Sequence, residues 1–163
     1  MPNIIKGGEI IADDWKVLDK DTALDSVLED GKLIVPLHYW LANKEALNAR
    51  GDIGLWLDSD EDTDSIADSC NHLPVIAINF PNFADGRGYS YARLLREKYG
   101  YTGELRAIGD VLKDQLFFLK RCGFDAYAIR TDRDVVDAIS SLKDFSDSYQ
   151  VAVDQPEPLF KRR

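Results

Sequence analysis

From residue 32 onward, short and nearly continuous apolar runs alternate with stretches of helical periodicity, a rhythm that few folds satisfy. The runs are LIVPL (33–37), IGLWL (53–57), VIAINF (75–80), LRAIG (105–109), FDAYAIR (124–130) and YQVAV (149–153). The spacing between them predicts helices over roughly 41–50, 63–71, 89–99, 111–122 and 132–143. A strand that is apolar throughout must be covered on both faces, the situation of a parallel sheet layered with helices. The chain therefore reads as α/β, with a mainly parallel sheet of alternating strands and helices. Eight-unit barrels run beyond ~200 residues. With 163 residues, an open doubly wound sheet or a partial β/α barrel fits better.

Punctuation supports the alternation. Arg50-Gly51, Lys98-Tyr99-Gly100 and Arg121-Cys122-Gly123 read as helix ends, where a cation meets the negative pole and glycine closes the turn. Asp110, and Thr131 with Asp134, read as helix starts. Helix 111–122 is apolar on more than one side and is expected to be the most buried. Ahead of this core, NIIKGGEII places two β-prone runs, 4–6 and 9–11, around Gly7-Gly8, which predicts a hairpin. A short helix is expected over 21–28. The expected organisation is one domain over 1–163: hairpin and short helix over 1–31, strand–helix core over 32–153, and a loose tail over 154–163 that carries two prolines.

In parallel α/β folds, ligands gather at the carboxyl ends of the strands. Three loops are expected there: 79–90, Gly109-Asp110, and Arg130-Thr131-Asp132. The first, with the sequence DGRG at 85–88, is the best anion candidate. Gly86 and Gly88 let the backbone approach a ligand, and Arg87 adds a forked cation suited to phosphate, sulfate or carboxylate. Ser90 and Arg130 complete the candidate anion-binding set, and Asp85 and Asp110 are candidate general bases, a role that needs a pKa raised by burial. The competing reading is a plain turn in which Asp85 pairs with Arg87 and Ser90 or Asp85 caps the helix. Position 91 is tyrosine, so this is no dinucleotide fingerprint, and no Gly-Lys-Ser/Thr follows.

Other features resolve towards structure. The acidic run DSDEDTDSIADS (58–69) has Thr63 where a calcium loop needs glycine and Ser69 where it needs glutamate, so a solvated loop is expected. Cys70, His72 and His38 are too scattered for a zinc set, and no metal site is assigned. Cys122 is expected to be buried and inert. No flavin, nicotinamide, haem or iron–sulfur motif is found. Trp56 reads as core, and His38-Tyr39-Trp40 as packing or a pocket wall. Arg106 interrupts an apolar strand and needs an acidic partner, Asp110 or Asp125. Arg93 and Arg96 lie towards one side of their helix, where either Arg93 pairs with Glu97 at i,i+4 or both arginines dock an acidic partner.

The net charge of −9 disfavours nucleic acid and anionic membranes as partners, and no apolar run approaches the ~18 residues of a membrane span. The N-terminus lacks secretory-signal character, and two cysteines do not make a disulfide framework, so a cytoplasmic location is expected.

FADGRGYSYARLLRE (83–97) and GELRAIGDVLKDQLFFLKRCGFDAY (103–127) resemble the bacterial domain of unknown function numbered 934, most closely over 79–127. Its members are described as probable oxidoreductases involved in sulfite reduction, because their genes lie beside those of sulfate assimilation. The resemblance implies a place in sulfur assimilation and cysteine synthesis, and supplies no catalytic residues. Two functions are thus expected. One is an accessory protein or oxidoreductase of sulfite reduction with a small-anion site at 85–88. The other is a non-catalytic module that docks on sulfite reductase or its electron donor.

Overall fold

The computed structural model describes residues 3–82 and 86–129. The predicted helix 132–143, strand 149–153 and tail 154–163 lie outside the described residues, as do Asp85, Arg130, Thr131, Asp132 and Asp134.

The chain opens with the expected hairpin, β1 (Asn3–Lys6) antiparallel to β2 (Glu9–Ala12). Gly7 and Gly8 have φ of +60° and +82°, the pair of left-handed residues that a two-residue turn with the twist of its strands requires. Six strands follow: β3 (Lys16–Val17), β4 (Leu33–Pro36), β5 (Ile53–Leu57), β6 (Val75–Phe80), β7 (Glu104–Gly109) and β8 (Ala126–Tyr127). These six are parallel to one another, and β1 joins β8 antiparallel. The sheet order is β2-β1-β8-β7-β6-β5-β4-β3, a curled half-barrel. Strands β3 to β8 succeed one another without a reversal, the winding of a partial barrel.

Alternation along the strands divides the core. Leu55, Leu57, Ile76, Ile78, Leu105 and Ala107 point into the larger cluster, together with Trp40, Ala92, Leu95, Leu116 and Leu119 from the helices. Ile34, Trp56, Val75, Ala77 and Ile108 form a smaller cluster on the opposite face of the sheet, with Trp15 packed on it. Both faces are thus dry, which is why the strands read as unbroken apolar runs. Trp56 is core, as expected, and its indole N–H donates to Leu18 O at 2.8 Å.

The helices differ more from expectation. Helix α1 (Leu37–Ala42) begins directly after Pro36, whose extended conformation ends β4, and α2 (Lys44–Asn48) stops before Gly51. Tyr39 and Trp40 are buried packing residues. The predicted helix 63–71 is two 3-10 turns, Thr63–Ile66 and Cys70–His72. Helix α3 (Arg87–Arg93) runs into a π-helical turn, Leu94–Lys98, and is followed by the left-handed Gly100. Asp110 starts no helix. A 3-10 turn at Lys113–Gln115 leads into α4 (Leu116–Cys122), closed by the left-handed Gly123 as the sequence predicts. Leu116, Leu119 and Cys122 of α4 are buried, while Phe118 is 47% exposed, so its burial is one-sided.

Residues 21–28 form no helix. Side chains of the next element hold their backbone carbonyls instead: His38 Nε2 contacts Thr22 O, Tyr39 Oη donates to Ser26 O, and Asn43 Nδ2 donates to Leu24 O. Val27 is 97% exposed and Leu24 52%, so no apolar stripe here drives helix packing. Among the described residues no helix is long and apolar enough to cross a membrane.

Candidate functional site

A parallel sheet sends all its strand ends to one edge. Here the carboxyl edge collects the loops after β3 (from Leu18), β5 (from Asp58), β6 (from Pro81) and β7 (from Asp110). Arg87 is the first residue of α3 and is exposed. One guanidinium nitrogen, Nη2, donates to Ser59 Oγ at 3.0 Å. Tyr91, one turn on, donates its hydroxyl to Ser59 O at 2.7 Å. The start of the acidic run is therefore clasped by the helix that the DGRG loop introduces. That run is anchored at its first two residues, and is less simply solvated than its composition suggests.

Asp58 lies at the centre of the second half of this edge. Its Oδ2 accepts from Lys20 Nζ at 2.8 Å, and its Oδ1 accepts from Asn79 Nδ2 at 3.1 Å and from Ser59 N at 2.8 Å. Lys20 also reaches Asp60 at 3.3 Å. Burial opposes the charge on Asp58, but the bonds from Lys20 and Asn79 prevail and hold its carboxyl below the ordinary aspartate value. Asn79 follows Ala77 in the alternation of β6 and Asp58 follows Trp56 in that of β5, so both continue the smaller cluster's face to the rim. A Cβ at Gly109 would lie 2.3 Å from Asn79 Oδ1 and 2.5 Å from Phe80 O, so only glycine leaves room for this amide.

The predicted site residues are distributed as follows. Gly86, Arg87 and Ser90 are exposed around the start of α3. Gly86 is the helix N-cap, and among the described residues no side chain caps it. Gly88 is buried and faces inward: a Cβ there would come within 2.6 Å of the Phe80 ring and 3.0 Å of Ile78 Cγ2. Its missing side chain is thus accounted for by the close packing of α3 on β6. Asp110 is half-buried, and its N–H donates to Phe80 O at 2.7 Å.

Two further expectations change. Arg106 pairs with neither Asp110 nor Asp125; its Nε meets Glu104 at 2.8 Å and its Nη1 meets Asp13 at 2.8 Å, with Lys6 on the other Glu104 oxygen. Asp125 instead accepts from Leu105 N at 2.7 Å, and burial pushes its carboxyl up. Arg96 does not present a docking surface: it donates to the carbonyls of Gly123, Tyr101 and Gly103 at 2.8–2.9 Å. Cys70 and Cys122 are buried, and burial raises both thiols. Among the described residues no group of three or more His, Cys, Asp and Glu is placed to hold a metal ion.

Lys20 was not singled out from sequence, and Asp58, Ser59, Asn79 and Tyr91 entered only as parts of an acidic run, a loop and a helix, without a role at the site. Asn79 had a signal, as the one polar residue at the end of an apolar strand. Lys20 had none, because its partners are 38 and 40 residues away. A groove of about 360 Å³ lies elsewhere, between residues 18–29 and Leu33, and contains none of the predicted residues.

Residues 54–160 match the family model described as bacterial protein of unknown function (DUF934). The chain belongs to this family. The matched stretch begins within β5 and includes Asp58, Asn79, the DGRG sequence and Asp110. No curated protein and no solved structure matches the chain.

Proposed function

We propose that the protein serves assimilatory sulfite reduction in the cytoplasm, as an accessory protein or oxidoreductase that binds a small oxyanion at its DGRG loop. The observation that carries the anion site is the position of Arg87: an exposed guanidinium at the carboxyl edge of a parallel sheet, oriented through one nitrogen by Ser59. A forked cation held in this way is suited to the paired oxygens of sulfite, sulfate or phosphate. The pathway comes from the family resemblance, and sulfite reductase is the corresponding partner.

The second reading, a docking module for sulfite reductase or its electron donor, loses Arg96 as a contact. It gains Leu94 and Phe118, 37% and 47% exposed on the neighbouring helical segments. Thermal unfolding with sulfite, sulfate and phosphate separates the two. A ligand near 100 times its Kd stabilises the fold by about 2.7 kcal/mol. The expected result is a rise in Tm with at least one anion that is lost in Arg87→Ala. No rise in either protein overturns the anion site, and copurification with sulfite reductase then tests the docking reading.

A further inference from the structure

Asp58 is surrounded as a bound oxyanion would be. An ammonium from the loop after β3, a side-chain amide from the end of β6 and a main-chain N–H converge on one carboxylate. Gly109 leaves the space the amide occupies. The adjacent residue, Ser59, accepts from the Arg87 guanidinium, so a cation from the loop after β3 and one from the start of α3 meet the same dipeptide. Lys20 is shared between Asp58 and Asp60, and its side chain is 44% exposed. The Lys20–Asp60 pair, 44% and 66% exposed, is weak because water competes for both partners, and an external anion competes in the same way; Asp58, 19% exposed, keeps Asn79 Nδ2 and Ser59 N when the ammonium leaves.

From this arrangement we propose that Lys20 is the second cation of the anion site and that Asp58, with Asp60, is its internal competitor. This rests on the reading of Arg87 as an anion ligand and specifies the class: a divalent oxyanion, whose charge engages both cations as it draws Lys20 away from the two aspartates. A monovalent anion gains less, because one cation satisfies it. The acidic run then has a role at the site. It occupies the ammonium until a ligand of sufficient charge replaces it.

The test is calorimetric titration of the full chain with sulfate and with nitrate at constant ionic strength, on wild type, Lys20→Met, Asp58→Asn, Asp60→Asn and Arg87→Ala. Lys20→Met is expected to weaken sulfate about fivefold, the size of one exposed ion pair, and to leave nitrate within twofold. Asp58→Asn is expected to tighten sulfate by a similar factor. Asp60→Asn, at a more exposed residue, keeps the test independent of any folding defect in Asp58→Asn and moves affinity the same way by less. Sulfate binding that depends on Arg87 but is unchanged in Lys20→Met and in both asparagine variants overturns this proposal and leaves the Arg87 site standing. Absence of sulfate binding in every variant overturns both.

Discussion

Two charge clusters lie at opposite ends of the sheet, built from the same residue types. Towards the amino edge, Arg106 is 1% exposed and lies between Glu104 and Asp13, both at 2.8 Å. At the carboxyl edge, Lys20 and Arg87 face Asp58, Asp60 and Ser59, with Lys20 nearly half exposed. The difference is solvent. A buried charge holds its partners because no water can replace them, so the lower cluster is a fixed part of the fold. An exposed charge exchanges partners at little cost, so the upper cluster is the one whose pairings water can loosen.

The comparison is tested hardest at Arg106. Arg106→Met leaves Asp13 without its cation and Glu104 with Lys6 alone, and the expected loss is about 3 kcal/mol in urea unfolding. A loss below about 1 kcal/mol would show that the lower cluster is as replaceable as the upper one. Gly88→Ala sharpens the assignment within the DGRG loop. Its methyl meets the Phe80 ring, and the expected cost is about 1–3 kcal/mol, with the dependence of anion binding on Arg87 preserved.

The smallest effect, and the most diagnostic in sign, is in pH. Asp58 has a lowered folded pKa, so its contribution is complete above about pH 4, the unfolded value, and disappears as pH falls through the folded one. Asp125 has a raised pKa from burial, so it opposes folding at neutral pH and that penalty is relieved on acidification. Asp58→Asn is therefore expected to lower stability at pH 7 by under about 1 kcal/mol, converging with wild type in acid. Asp125→Asn keeps an acceptor for Leu105 N and is expected to be neutral or stabilising at pH 7. Urea unfolding of both variants across pH 3–7 measures the signs; equal signs would contradict the assigned environments.

How much was legible follows from range. The hairpin and the strands at 33–36, 53–57, 75–80 and 104–109 were visible because each depends on residues within a few positions of one another. Strand β3 was not, since Lys16-Val17 has no apolar run and exists by pairing with Leu33 and Ile34. The irregular 21–28 segment was misread as helix because the donors that satisfy its carbonyls come from 13 to 19 residues away. At the candidate site, Arg87 and its edge were legible from the strand–loop–helix order. Gly88 was not: an inward glycine that relieves Phe80 and an outward one that approaches a ligand look alike in sequence.

The apolar runs and glycine turns alone determined an α/β chain with its loops on one edge, because periodicity and turn chemistry are local. Only the tertiary structure decided which charges are locked and which are free to change partners. Arg106 finds Asp13 across 93 residues, and Lys20 finds Asp58 across 38. Whether either pair is dry depends on everything packed around it.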